Sequence, residues 1–187
     1  MKVNTESIRL LSSELCSAAA SRIASDSLGY EYNDGGRKAA GWKGHAGDCV
    51  TRAIAIANPD WSYNEVRAGL MKLVEEWRAS SRSKRAKRRS GNSVRNGTPK
   101  EVYRPFLEAL GWRRISLIKF GSPDRKYMNT ADIPSGTVIV EVRNHLAAVV
   151  DHVVHDTWDS RKSTKWIEGR PTDQMTDRVA YGVWVKD

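Results

Sequence analysis

Asn144-His145-Leu146-Ala147-Ala148-Val149-Val150-Asp151-His152-Val153-Val154-His155-Asp156 decides the fold, because it reads as two β-prone runs, Leu146 to Val150 and His152 to His155. A hairpin turning near Asp151-His152 pairs residues whose numbers add to an odd value. His145 and Asp156 then lie on one face, directly opposite or one diagonal apart, within reach of a hydrogen bond. An even sum would separate them.

Outward from this hairpin, Ile115 to Phe120, Thr137 to Val142 and Val179 to Val185 are further short β-prone runs. Upstream of Gly111 the pattern is helical. Asp48 is placed to N-cap a short buried helix from Cys49 to about Ala57. Ser62-Tyr63-Asn64-Glu65 is a capping box, and Val66, Leu70, Leu73, Val74 and Trp77 continue one stripe. Thr98-Pro99-Lys100-Glu101 predicts a second box with proline at the first helical position, opening a helix that ends at Gly111 and turns Val102, Phe106, Leu107 and Leu110 inward. Helices first and strands later predict an α+β domain with a mostly antiparallel sheet.

Two segments flank these elements. Thr5 to Leu28 carries Ile8, Leu11, Leu15, Ala18, Ala19 and Ile23 at helical spacing, so residues 1–29 read as an amphipathic helix stopped by Gly29, an appendage or an oligomer contact ahead of a domain over 30–187. Tyr30 to Lys43 reads as a turn and loop, and Ser80 to Asn96 as a mobile loop.

The chain has 187 residues, 40 % of them hydrophobic and seven of them tryptophan, enough for one sizeable core. Its net charge is +9, and Arg82, Lys84, Arg85, Lys87, Arg88 and Arg89 account for six of those charges within eight residues. With Arg95 they predict a local polyanion contact, to nucleic acid or to an acidic protein face, rather than a basic surface throughout. Two cysteines in unlike segments indicate no disulfide framework. The start lacks the form of a signal peptide, and nowhere do 18 apolar residues run together, which predicts a soluble protein of the cytoplasm with no membrane contact.

Cys49 falls where a helix begins, and unpaired N–H groups with the positive end of the dipole favour a thiolate there and offer an oxyanion site. Cys49, His145 and Asp156 therefore form a candidate thiol triad. The plainer alternatives are a small buried hydrophobe at Cys49 and an ordinary edge hairpin with surface polar groups. His45, four residues before the thiol, is an alternative base; His152 and His155 are expected to be exposed. Asp151, His152, His155 and Asp156 could be imagined around zinc, but their spacing fits neither a helical pair nor a closed site, so no metal and no cofactor are expected.

Cysteine heading a helix, then histidine at a strand start and an acid on the next strand, is the order of papain-like cysteine peptidases. Asn33-Asp34-Gly35-Gly36-Arg37, Gly44 through Ala57, the basic loop, Tyr103 through Trp112, His145 through Asp151 and His155-Asp156-Thr157 resemble phage and prophage proteins described as peptidase C39-like, over about residues 30–170. The resemblance implies a papain-like fold, a Cys49-His145-Asp156 triad and peptide or isopeptide hydrolysis on a host or phage protein, in a bacterial cytoplasm. Transamidation or glutamine deamidation by the same triad, and a non-catalytic module binding through the basic loop, remain open. One position departs from the pattern: where papain-like enzymes place Gln or Asn about six residues before the cysteine, this chain has Lys43, leaving Asn33, Lys43 or backbone donors to complete the oxyanion site, with Asp48 and His45 beside them.

Overall fold

Strands β3 (Thr137–Val142) and β4 (His145–Val150) are apolar along nearly their whole length, so both their faces need covering. They occupy the middle of a six-stranded sheet of order β1-β5-β4-β3-β8-β2, with β1 Gly29–Tyr32, β2 Arg113–Ser116, β5 Val153–Asp156 and β8 Ala180–Val185. Only β1 runs parallel to its neighbour, β5. The computed structural model describes residues 27–88, 91, 93–119, 121–167 and 170–186. Within them lie four helices, this sheet and a two-stranded hairpin, an α+β architecture.

Helices α1 (Cys49–Ala57), α2 (Tyr63–Ser80) and α4 (Lys100–Ala109) cover one face of the sheet. Ile54, Val66, Leu70 and Leu107 pack there with Ile139, Leu146, Ala148 and Trp184. Burying each such side chain contributes about 1.5–3 kcal/mol. On the other face Val138, Val140, Val149, Val154 and Val183 meet Leu28, Met128 and Ile133. The predicted capping box at Ser62 forms in full: its hydroxyl accepts from the Glu65 N–H while the Glu65 carboxylate accepts from Ser62 N–H. Among the described residues no helix is long and apolar enough to cross a membrane.

The β4–β5 hairpin fixes the register on which the site depends. Val149 faces Val154 and Val150 faces Val153, the odd sum expected, and the tight turn is made by Asp151 and His152 with φ of 45° and 64°. Two left-handed residues in a two-residue loop match the twist of the strands they join.

Several sequence expectations are corrected. The amphipathic helix lies outside the described residues up to residue 26, but it does not extend to Leu28: Ser27 bridges to Asn129, Leu28 is a core residue, and Gly29 opens β1. The expected loop after Tyr30 thus starts with a strand, which carries no apolar alternation because it is held by its backbone to β5. Part of the expected basic loop is helical, α3 (Lys84–Arg88), and the segment is anchored by Ala86 and Val94, each 1 % exposed. Two small apolar side chains are too weak a signal against so much charge. The box at Thr98 does not form: Pro99 is itself the N-cap and Thr98 Oγ1 is buried without a partner. A further hairpin joins β6 (Lys162–Ile167) and β7 (Arg170–Asp177), an addition to the expected strands, since polar two-stranded pairing leaves no hydrophobic period. The first of the later strands is shorter than expected, ending at Ser116.

Candidate active site

Helix α1 starts at Cys49, and the residue before it does not serve as the cap that its type and place predict. Asp48 sits at the N-cap position but its side chain caps nothing. It turns inward instead, 1 % exposed, where it accepts from Arg37 Nε at 3.0 Å, from Tyr63 Oη at 2.5 Å and from Arg52 Nη1. The first N–H groups of α1 are therefore left without a capping side chain. Arg37 also donates to the carbonyls of Trp42 and Lys43, tying the loop ahead of the helix to the same carboxylate.

The turn that carries Arg37 packs directly on α1. Gly35 has φ of 63°, and a Cβ there would stand 2.9 Å from the Arg52 carbonyl oxygen, so only glycine fits this approach. Asn33 is consumed by the same turn, its Oδ1 accepting from Gly35 N–H at 2.8 Å.

Arg52 links this cluster to the hairpin. Its Nη2 lies 3.9 Å from Asp156 Oδ1, and Asp156 Oδ2 lies 2.5 Å from His145 Nε2. Thr157 N–H donates to Asp156 Oδ1 at 2.7 Å, completing the carboxylate's surroundings. With Nε2 engaged by the acid, Nδ1 is the ring nitrogen left for a second partner. Cys49 lines the same cleft as His145: burial pushes its thiol up, but hydrogen bonding and charge from His145, the Leu146 N–H and Arg52 together hold it below the ordinary thiol value. His145 responds in kind. Burial pushes it down, the bonds to Asp156 and Cys49 more than offset that, and its pKa stands at about 9. The two shifts run in the same sense, each favouring the charged form of its group, thiolate beside imidazolium.

Two neighbours that sequence reasoning passed over complete the site. Trp158 lies against His145, centroids 5.3 Å apart, and Arg178 stands 5.4 Å from the Trp158 ring while donating to the Arg143 carbonyl at 2.8 Å. The indole covers the imidazole beside its bond to Asp156. Its position two residues past the acid, in the bend that follows the strand, is the available signal; Arg178 offers none.

Cys49 and His145 open onto a cleft of about 610 Å³ that His45, Asn96, Lys100 and Asn144 also line. Of the predicted supporting residues, His45 lines this cleft, exposed, its carbonyl accepting from Arg95 at 3.0 Å. Asn33 and Lys43 do not line it. Arg82, Lys84, Arg85, Lys87 and Arg88 are exposed, and Arg85 also reaches the cleft; Arg89 lies outside the described residues. His152 and His155 are half-buried rather than exposed, the former 3.0 Å from the Ile133 carbonyl, because the hairpin turn packs on the segment that covers the sheet. Comparison of the chain with family models, with curated proteins and with solved structures found no match.

Proposed function

We propose that this chain is a thiol-dependent acyl-transfer enzyme of papain-like type, similar to the C39-like peptidases, with hydrolysis of a peptide or isopeptide bond as its reaction. The observation that carries this reading is that Asp156 holds His145 at 2.5 Å while His145 and Cys49, the latter at a helix start without a capping side chain, line one cleft.

The chemistry follows from the order of contacts. The Cys49 thiolate attacks the carbonyl carbon, and the oxygen that gains charge is received by the free N–H groups opening α1. His145 passes its Nδ1 proton to the departing amine as the C–N bond breaks, leaving a thioester. Water then attacks that thioester, giving a proton to His145, and the thiolate leaves. Asp156 holds the ring and stabilises its charged form without itself changing protonation. Transfer to an amine in place of water would give transamidation with the same residues.

Iodoacetamide labelling across pH tests the reading. Cys49 is expected to react well below the ordinary thiol range while Cys16 does not, and Cys49→Ala should abolish turnover with little change in melting temperature. Equal, slow reaction of both thiols would overturn it, as would collapse of the fold on replacing Cys49. Mass spectrometry of treated proteins separates the reactions: fragments for hydrolysis, a gain of about one dalton for deamidation, joined chains for transamidation.

A further inference from the structure

The cleft at Cys49 does not end at the thiol. A second cavity of about 420 Å³ adjoins it, and Tyr103, Val142 and Asn144 line both. Its walls carry Arg104, Arg114 and Arg143 against a single carboxylate, Glu141.

Glu141 is 5 % exposed and accepts from Arg114 Nε at 2.9 Å and Nη2 at 2.7 Å, from Arg104 Nη2 at 3.1 Å and from Trp184 Nε1 at 3.0 Å. One buried acid thus fixes two guanidiniums whose outer edges stay open, their side chains 24 % and 36 % exposed. Arg143, in the two-residue turn joining β3 to β4, and Lys100, at the start of α4, are exposed and make no ion pair with a described residue. Lys100 and Arg104 are one helical turn apart, on the same face. A lysine in a helix's first turn works against the dipole. Such local conflicts concentrate where a residue serves binding rather than folding.

We infer that this basic trough binds an acidic stretch of polypeptide beside the bond that Cys49 attacks, so that the substrate class is a protein segment rich in Asp and Glu. The inference rests on the acyl-transfer reading of Cys49. A polypeptide is favoured over nucleic acid because the trough ends at a nucleophile suited to an acyl carbon, and because fixed, planar guanidiniums match carboxylate geometry two bonds at a time. Tyr103 at the junction of the cavities donates to Glu141 at 3.3 Å and so faces the acid rather than offering a free stacking platform.

Fluorescence anisotropy on the Cys49→Ala chain measures the binding without any turnover. The probes are a labelled ten-residue peptide of alternating Glu and Gly, its Gln counterpart, and a ten-nucleotide single strand. The Glu peptide is expected to bind at least about tenfold tighter than the Gln peptide, to weaken steeply with added salt, and to lose that advantage in Lys100→Glu/Arg143→Glu. Both positions are exposed, so the double variant keeps its fold, which its near-ultraviolet circular dichroism reports. Equal affinity for Glu and Gln peptides overturns the inference. So does tighter binding of the oligonucleotide that the same double variant abolishes. Iodoacetamide labelling of the unmodified chain is scored separately: normal labelling with failed peptide selectivity removes the substrate class and leaves the triad, whereas failed labelling removes the triad.

Discussion

Asp48 and Glu141 are built from the same parts and end in opposite uses. Each is a buried carboxylate shared by two guanidiniums and a tyrosine, and in each case burial and the acid push the tyrosine to a pKa of about 12. Around Asp48 the charges close: Arg52 faces both Asp48 and Asp156, and the side chains of Arg37 and Arg52 are 12 % and 7 % exposed. Around Glu141 they stay open, with two guanidiniums reaching solvent and Arg143 beside them. A balanced buried cluster is suited to holding geometry; an unbalanced one at a rim is suited to meeting an anion.

The largest expected effect tests that contrast directly. Asp48→Asn leaves Arg52 a buried cation with its main partner gone, which should cost about 3–5 kcal/mol in urea unfolding. Glu141→Gln frees guanidiniums that can turn to water, and should cost about 1–3 kcal/mol. Equal losses would erase the distinction between a closed and an open cluster. Asp48→Asn should also slow labelling of Cys49, because Arg52 would no longer be held beside Asp156.

Next in size is the pH behaviour of the pair that the closed cluster supports. Labelling of Cys49 should rise with pH through a midpoint below the ordinary thiol value, and turnover should fall again near pH 9, where His145 releases its proton. Replacing His145 by Ala leaves the burial and removes the imidazolium, so the labelling midpoint should move upward. Stability behaves differently. His145, raised from 6.5 to about 9, contributes stability that is complete below pH 6.5 and lost as pH rises through 9; Cys49, lowered from 9.0, contributes stability present above 9.0 and lost as pH falls through its folded value. Between pH 9 and the higher of pH 6.5 and the folded value of Cys49, folding moves a proton from sulfur to nitrogen without a net change, so the urea midpoint should be nearly flat there. A steep slope across that window would show that the two groups are not paired.

What was legible in the sequence follows the strength of each periodic signal. The β4–β5 register came from an apolar run on each side of Asp151-His152, and it brought His145 and Asp156 together because side chains alternate with a period of two. The helix starting at Cys49 was equally plain. The residue type and place of Asp48 fit a cap, yet Arg37, Arg52 and Tyr63 compete for its carboxylate, and three partners inside a core outweigh one N–H. Arg52, four residues on, is a local pair, but partners 11 and 15 residues away leave no local pattern. Glu141 was hidden for the same reason, as a charge inside an apolar strand whose partners sit on α4, β2 and β8. Long-range polar contacts are where reading from periodicity fails.

The smallest expected effect probes how the open cluster keeps its shape. Gly182, on β8, pairs with Ser116 and Glu141, and a Cβ there would stand 2.6 Å from Arg114 Nη2 and 3.1 Å from the Ile115 carbonyl oxygen. The strand gives up a side chain so that the guanidinium can lie across it and meet Glu141. In Gly182→Ala the flexible end of Arg114 gives way before the backbone does, so stability should change little while the fixed orientation is lost. Affinity of the Cys49→Ala chain for the Glu peptide should then fall about fivefold, the equivalent of roughly 1 kcal/mol. Labelling of Cys49 in the otherwise unmodified chain should be unaffected, since nothing around Asp48 has moved. If the substitution instead slowed labelling as much as it weakened the peptide, the two carboxylate clusters would be one coupled unit rather than two with separate tasks.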